Sequence, residues 1–168
     1  MPEAEFDPQP ILEVLTRHGV DFIVIGGLAG TAHGSSFITL DVGVAYERSH
    51  ANLERLAAAL SELAATLRAA PPGLPFQLDA ETLKAGLNFT FDTPYGSLDL
   101  LGEPAGAPRY DELRSAASSE TLWGLTIRIA SLDHLIAMKE AAGRTKDKLM
   151  ASEYRVISDL LRAPPEEG

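Results

Sequence analysis

The stretch Phe22-Ile-Val-Ile-Gly-Gly-Leu-Ala-Gly-Thr-Ala-His-Gly-Ser-Ser-Phe-Ile-Thr-Leu-Asp-Val-Gly-Val-Ala-Tyr46 predicts a strand, a glycine turn, a short helix and a second strand. Residues 22–25 are β-branched or aromatic throughout, which is typical of a buried strand, and Gly26-Gly27 ends it. A helix is predicted over residues 28–33, and the chain re-enters a strand at about Ile38. The rest of the chain is interpreted around this unit.

The glycine pair is a candidate phosphate-binding turn. Gly26 and Gly27 allow a positive φ and carry no Cβ, so a phosphate could approach the main chain closely at the start of the following helix. The hydroxyls of Ser35 and Ser36 either bind the same triphosphate or cap the loop. A glycine pair between strand and helix is also compatible with a simple turn.

The second strand is predicted to have one apolar face and one face with a carboxylate and two small residues. The apolar face is Leu40, Val42 and Val44, and the other face is Asp41, Gly43 and Ala45. An acidic side chain within a strand is unfavourable by propensity and costly if it is buried unpaired. Asp41 therefore reaches solvent, pairs with a cation such as Arg48, or holds a metal ion.

A second carboxylate is predicted to come from a hairpin. Residues 87–92 alternate apolar and polar side chains, residues 92–96 form a turn, and residues 97–101 form the returning strand. If this hairpin joins the sheet beside the second strand, Asp99 lies near Asp41 on one face.

The remaining segments predict helices and a C-terminal strand pair. Helices are predicted from Asp7 to Gly19, from Ser49 to about Ala69, over 79–84, 110–117, 131–142 and 145–161, with strands at 121–123 and 125–130 and a loop at 71–75. The predicted fold class is α/β (α+β), a mixed β-sheet flanked by helices with a small C-terminal strand-pair and helical extension. We assign residues 1–107 to the core and residues 108–168 to an extension packed on it.

Composition excludes several classes of function. The chain has 168 residues, of which 45% are hydrophobic and 23% charged, as in one globular domain. The net charge of −10 argues against broad phosphate neutralisation on nucleic acid, although a tRNA end could bind through a local patch. The absence of cysteine excludes disulfides, thiolate metal sites and a thiol nucleophile. An acidic N-terminus without a long apolar run predicts a soluble, cytoplasmic protein with no membrane segment.

Several segments together resemble the nucleotidyltransferase superfamily with the DNA polymerase β type of fold. They are Gly26-Gly27, His33-Gly-Ser, Thr39-x-Asp41, Leu87-Asn-Phe-Thr-Phe, Gly96-Ser-Leu-Asp99-Leu-Leu-Gly102 and Ala141-Ala-Gly-Arg-Thr-Lys-Asp147. The similarity is greatest to the small bacterial branch of AbiEii-like toxins and toxin–antitoxin nucleotidyltransferases. It implies transfer of NMP from an NTP to a hydroxyl of a protein, a tRNA or a small molecule.

The resemblance also implies a site. Asp41 and Asp99 would be catalytic ligands of Mg²⁺ in a two-ion site, whereas Gly43 stands where the family pattern has a second aspartate. The implied nucleotide-binding residues are Gly26, Gly27, Ser35, Ser36 and Lys139. Lys139 could instead belong to a solvated face with an intrahelical ion pair. Phe37 stands where many members of this branch carry an arginine.

Gly43 leaves vacant the ligand position at which the family pattern has its second aspartate, and three classes of function are compatible with this vacancy. The chain is a working nucleotidyltransferase, or a catalytically inactive member that binds a nucleotide or a cognate toxin or antitoxin, or an enzyme in which Gly43 is a variant residue. Loss of a bridging ligand would slow two-metal transfer by about three decades, at about 1.4 kcal/mol per decade. An oligomer is compatible with all three classes.

Overall fold

The computed structural model describes residues 5–68 and 78–163, which form seven helices and seven strands. The helices are α1 (Pro8–Arg17), α2 (Gly26–Ala32), α3 (His50–Glu62), α4 (Ala80–Ala85), α5 (Tyr110–Ala116), α6 (Leu132–Ala142) and α7 (Thr145–Arg162). The strands are β1 (Phe22–Ile25), β2 (Asp41–Tyr46), β3 (Thr66–Leu67), β4 (Asn88–Thr93), β5 (Gly96–Leu101), β6 (Ser118–Leu122) and β7 (Leu125–Ile129). The predicted loop at 71–75 lies outside the described residues.

All seven strands belong to one mixed sheet in the order β3-β4-β5-β2-β1-β7-β6. The β1–β2, β3–β4, β4–β5 and β6–β7 pairs are antiparallel, whereas β2–β5 and β1–β7 are parallel. The predicted fold class, a mixed sheet flanked by helices, is confirmed. The predicted C-terminal strand pair is β6–β7, and it extends this same sheet beside β1.

Strand β1 lies inside the sheet because every one of its side chains is apolar. All four residues of Phe22–Ile25 are buried, and the strand pairs with β2 on one side and β7 on the other. Full burial of such a side chain contributes about 1.5–3 kcal/mol. The prediction of a buried strand is confirmed, and the structure adds that this strand is paired on both sides.

Helix α1 begins where the sequence predicts it. The Asp7 side chain accepts a hydrogen bond from the Gln9 amide at 3.1 Å, and Pro8 occupies the first turn. The apolar face of the helix is fully buried through Ile11, Leu12 and Leu15. Helix α1 contacts α3, β2 and β7, and so covers part of the sheet.

The predicted bounds around the glycine turn are wrong in two places. Helix α2 begins at Gly26 and not at residue 28, because Gly26 itself makes the turn with φ +71°. Strand β2 begins only at Asp41, so Ile38 and Leu40 precede it and are 82% and 72% exposed. Leu40 therefore does not belong to the apolar core face, which is made by Val42 and Val44.

The prediction that the long helix from Ser49 extends to about Ala69 is also wrong. Helix α3 ends at Glu62, and the chain turns at Ala64, whose φ is +53°. Thr66 and Leu67 then pair with β4 as a short edge strand. Leucines at helical spacing continue from Leu53 to Leu67, beyond the end of the helix. The spacing did not mark the helix end, because a leucine packs equally well in a helix or in a strand. The consequence is that Arg68 lies on the sheet.

The C-terminal segment ends in two helices that contact each other. Ser131 caps α6 by accepting a hydrogen bond from the His134 amide at 3.2 Å, and Gly143 ends it with φ +71°. Helix α7 contacts α6, and α6 contacts α2. Among residues 5–68 and 78–163 no helix combines the length and apolarity needed to cross a membrane.

Candidate functional site

The two predicted carboxylates lie on one face of the sheet. Strand β5 runs parallel to β2 in a register that pairs Asp41 with Ser97 and Gly43 with Asp99. Because paired residues point to the same side, Asp41 and Asp99 share a face and are offset by two residues, roughly 7 Å along the strands. Thr90 of β4 pairs with Asp99 and extends this row. The hairpin therefore brings Asp99 beside Asp41.

The environment of Asp99 favours its protonated form. Burial raises the pKa of the Asp99 carboxyl above its usual value, and the charge of Asp41 raises the pKa further. A hydrogen bond from Thr90 and the positive charge of Arg68 act in the opposite direction and do not offset the burial. A bound cation would relieve the repulsion between the two carboxylates.

Gly43 leaves room on this face next to Asp99. An added Cβ at Gly43 would lie 3.6 Å from the carbonyl oxygen of Ile25 and 3.7 Å from its Cγ1, which are ordinary contact distances. The backbone at Gly43 is not in the left-handed region. Neither space nor backbone conformation therefore requires a glycine at this position.

Gly27 is required by its neighbour Thr39. A Cβ at Gly27 would lie 2.9 Å from the Thr39 Cβ, whereas a Cβ at Gly26 would meet nothing within 4 Å. The Thr39 hydroxyl donates to Asp41, with the main-chain oxygen and Oδ1 each at 3.1 Å. The close approach at Gly27 thus holds Thr39 and, through it, the Asp41 carboxylate. Arg48, the alternative partner for Asp41, instead donates to Gly86 and Lys84 carbonyls at 2.9 Å.

A cavity of about 500 Å³ joins this turn to the C-terminal helices. Its lining residues are Gly27, Ile38, Thr39, Leu40, Asp41, Lys139, Arg144, Lys146, Asp147 and Met150. Three residues predicted for the site, Gly27, Asp41 and Lys139, therefore line one cavity. The cavity combines cations from α6 and α7 with the apolar side chains that precede β2.

Two of the cavity's cationic side chains, Lys139 and Arg144, are held by Asp147. Its side chain is 3% exposed and accepts hydrogen bonds from Arg144 Nε at 2.7 Å and Lys139 Nζ at 3.4 Å. The Arg144 amide donates to the same carboxylate at 3.3 Å, which closes the first turn of α7. The hydrogen bond from Arg144 holds the pKa of the Asp147 carboxyl below its usual range, and the charges of Lys139 and Arg144 add to this.

We expect Asp147→Asn to lower the free energy of unfolding by about 2 kcal/mol at pH 7, since charge-assisted hydrogen bonds are lost. A lowered pKa contributes stability above the unfolded-state pKa of about 3.9 and loses it as pH falls through the folded-state pKa. Wild-type stability should thus fall more steeply than that of the variant below about pH 5. Urea unfolding from pH 3 to 7 measures both effects, with Asp133→Asn, at an exposed pair with Arg162, as the control. Parallel pH profiles would contradict the role of Asp147.

Ser35 and Ser36 bind a carboxylate of this chain. Both hydroxyls donate to the Glu153 carboxylate of α7, and the Ser36 amide donates to the same group at 3.2 Å. The hydroxyls of Ser35 and Ser36 lower the pKa of Glu153. These donors are arranged around an anionic group, but they do not line the cavity that contains Lys139.

Three further carboxylates, Glu47, Asp92 and Glu140, could substitute for the ligand missing at Gly43, but each is engaged by another side chain of this chain. Glu47 accepts hydrogen bonds from the Ser49 amide and hydroxyl, Asp92 pairs with Arg68, and Glu140 pairs with Arg155. Over residues 5–68 and 78–163 no three or more His, Cys, Asp or Glu side chains are grouped closely enough to hold a metal ion. The residues present do not fit a two-ion site, and within the described residues Asp41 and Asp99 are the carboxylates on this face that have no ion pair with a cationic side chain.

Arg68 is a functional candidate that sequence reasoning missed. Its amide donates to the Thr90 carbonyl at 2.8 Å, and its guanidinium contacts Asp92 and Ser97 on the face that carries Asp41. The sequence places it inside a leucine-rich helical pattern, so no signal pointed to the sheet. Glu153 was missed because its contacts to the two serines span more than 100 residues.

Comparison with solved structures identifies the fold. The chain is similar to the lincosamide antibiotic adenylyltransferase LnuA, solved with lincomycin bound, with a TM-score of 0.61 and 11% identity over 90% of this chain and 98% of that one. It is also similar to TM1012, a candidate nucleotidyltransferase from Thermotoga maritima (TM-score 0.56, 12% identity, 88% and 89% covered). A third similar structure is that of a nucleotidyltransferase-like protein of Paracoccidioides brasiliensis, with a TM-score of 0.53 and 15% identity over 93% of this chain and 75% of that one. The chain has the fold of nucleotidyltransferases.

Sequence comparison adds no family. No protein-family model matches the chain, and no curated protein matches it.

Proposed function

We propose that the chain binds a nucleoside triphosphate and, as a nucleotidyltransferase, transfers NMP to a hydroxyl acceptor at a rate limited by Gly43. The observation that carries this proposal is the cavity lined by Gly27, Asp41 and Lys139 beside the face with Asp99. The cavity combines cations for phosphates with a carboxylate for a metal ion. Its apolar edge, Ile38 and Leu40, offers a surface to a base or an acceptor.

In the proposed reaction the acceptor oxygen attacks the α-phosphorus of the triphosphate. A new phosphorus–oxygen bond forms, the bond to the bridging oxygen of the β-phosphate breaks, pyrophosphate leaves, and the acceptor proton passes to water. Lys139 would neutralise charge on the phosphates, because an ammonium is a compact point charge. The amides at Gly26 and Gly27 and the donors of Ser35 and Ser36 would bind phosphate oxygens once Glu153 moves aside.

The proposed metal ligands are Asp41 and Asp99, which would hold one Mg²⁺. When bound, the ion would neutralise phosphate charge and orient the triphosphate. Gly43 provides no ligand for a second ion, and this is the reason for the slow rate that we propose.

The acceptor would be a hydroxyl of a small molecule, a protein or a tRNA end. A net charge of −10 disfavours tRNA. The lincomycin-bound structure of LnuA makes a small molecule the first acceptor class to test. A function in an AbiEii-like toxin–antitoxin pair, with a cognate protein as acceptor or partner, is part of the same proposal.

An alternative function is that of a catalytically inactive member that binds a nucleotide or a cognate protein. Gly43 favours it, because the third carboxylate on this face, Asp92, is paired with Arg68, and the described residues include no group of three or more possible metal ligands. Binding without pyrophosphate release would distinguish this alternative from the enzyme.

Titration of ATP, GTP, CTP and UTP into the full chain tests the proposal. We expect weak, Mg²⁺-dependent binding, and a loss of about tenfold in affinity in Lys139→Gln because one charge-assisted phosphate contact disappears. Lys148→Gln is the matched control, since Lys148 is exposed on α7 and does not line the cavity. If none of the four nucleotides binds to the wild type or to Gly43→Asp, the proposed function is wrong.

A further inference from the structure

Arg68 places a fixed positive charge on the carboxylate face. Strand β3 pairs Thr66 with Asp92 and Leu67 with Phe91, and the next step of this register sets Arg68 opposite Thr90. Thr90 pairs with Asp99, and Asp99 pairs with Gly43. Since directly paired residues share a face, the row from the sheet edge inward is arginine, threonine, aspartate and glycine.

The guanidinium is oriented toward the carboxylates by two partners. Arg68 Nε and Nη2 donate to Asp92 Oδ1 at 2.9 and 2.7 Å, and Nη2 also donates to the Ser97 hydroxyl. Ser97 is the residue that pairs with Asp41, so the guanidinium lies above the row that contains Asp41. The hydrogen bond to Asp92 raises the pKa of Arg68, and the charges of Asp92, Asp99 and Asp41 add to it.

Charge balance on this face favours one divalent cation over two. Asp92 is neutralised by its ion pair with Arg68. Asp41 and Asp99 then remain, and their two negative charges match a single divalent ion. A second divalent ion would lack a carboxylate at Gly43 and would be repelled by the guanidinium. The Arg68 side chain is 48% exposed, so its outer edge is available to a ligand.

We propose that Arg68 is a nucleotide-binding residue that stands in for a second metal ion: its guanidinium contacts triphosphate oxygens while Asp41 and Asp99 hold one divalent cation. Arginine suits this role because its planar, permanently charged fork binds phosphate oxygens in pairs. The inference rests on the proposed function for its nucleotide but not for its cation, so the two can fail separately.

The deciding experiment titrates Mn²⁺ alone into the full chain and counts bound ions by the paramagnetic resonance of free Mn²⁺. Wild type should bind one ion. Arg68→Gln should bind Mn²⁺ at least about fivefold more tightly, because a repulsive charge is removed and Asp92 is released as a ligand. Arg68→Lys should resemble wild type. Arg17→Gln, which breaks an exposed pair with Glu62 away from this face, is the control and should change nothing.

A second measurement follows ATP binding in the presence of a chelator. Arg68→Gln should weaken this metal-free binding about tenfold, and Arg17→Gln should not. Mn²⁺ binding that is unchanged or weaker in Arg68→Gln would overturn the inference whatever the nucleotide does, as would two Mn²⁺ ions on wild type or none on either protein. If Mn²⁺ behaves as expected but no nucleotide binds, the proposed function fails and the cation half of the inference stands. Thermal unfolding of each variant confirms that it is folded.

Discussion

Gly43→Asp is expected to raise pyrophosphate release by about a thousandfold when a suitable acceptor is present. The reason is that a third carboxylate adjoining Asp41 and Asp99 would help hold the metal ions, each of which contributes several kcal/mol to transition-state stabilisation. Coupled-enzyme detection of pyrophosphate with Mg²⁺ and each NTP measures the effect. The same variant should also bind NTP more tightly than wild type.

The structure permits this substitution without rearrangement of the sheet. A Cβ at Gly43 fits at 3.6 Å from the Ile25 carbonyl oxygen, and the side chain would emerge on the face of Asp99. An isolated carboxylate there carries a cost, because burial already raises the pKa of Asp99 and a third like charge adds repulsion. Without metal, Gly43→Asp should therefore be less stable than wild type.

This cost provides a readout that needs no acceptor. Mg²⁺ should raise the Tm of Gly43→Asp more than that of wild type, since a ligand that binds only the folded state stabilises it. Gly43→Ala adds the same Cβ without the charge, and Gly43→Asn adds the shape without the charge. Neither control should gain metal-dependent stability or activity. If Gly43→Asp gains neither nucleotide binding nor pyrophosphate release with any acceptor, the chain is a binding module.

The central part of the fold could be predicted because its signals are local. The apolar run of β1, the Asp7 cap and the alternation in the hairpin each depend on neighbouring residues alone. The same alternation predicts Asp99 near Asp41 on condition that the hairpin joins the sheet beside the second strand, and β5 does pair with β2, in parallel.

The remainder depends on contacts between distant residues. Leu67 continues the spacing of a helix, yet it pairs with Phe91 as an edge strand, and only this pairing brings Arg68 to the carboxylates. Ile38 and Leu40 have the composition of a strand but are exposed at the cavity, since pairing starts at Asp41. In both cases the strand pairing with residues distant in sequence, and not the local composition, determined the structure.

Gly30→Ala is expected to lower the free energy of unfolding by about 3 kcal/mol, the upper part of the usual range for overpacking. A Cβ at Gly30 would lie 2.3 Å from the Tyr154 hydroxyl oxygen and 2.7 Å from its Cζ. Tyr154 is fully buried, and burial raises its pKa to about 12. Neither α2 nor α7 can yield without losing core contacts, so urea unfolding should show the whole cost.

The clash also connects stability to the candidate site, because α7 carries both Asp147 and Glu153. Tyr154→Phe alone should be nearly neutral, since in the described part of the chain the buried Tyr154 hydroxyl has no hydrogen-bond partner. Combined with Gly30→Ala, it should recover part of the loss, and a double-mutant cycle measures this coupling. Gly43→Ala, where a Cβ meets only ordinary contacts, is the matched glycine control and should cost little. An unchanged stability of Gly30→Ala would mean that α7 does not pack against α2 through Tyr154, and the cavity between β2 and α7 would then lack its support.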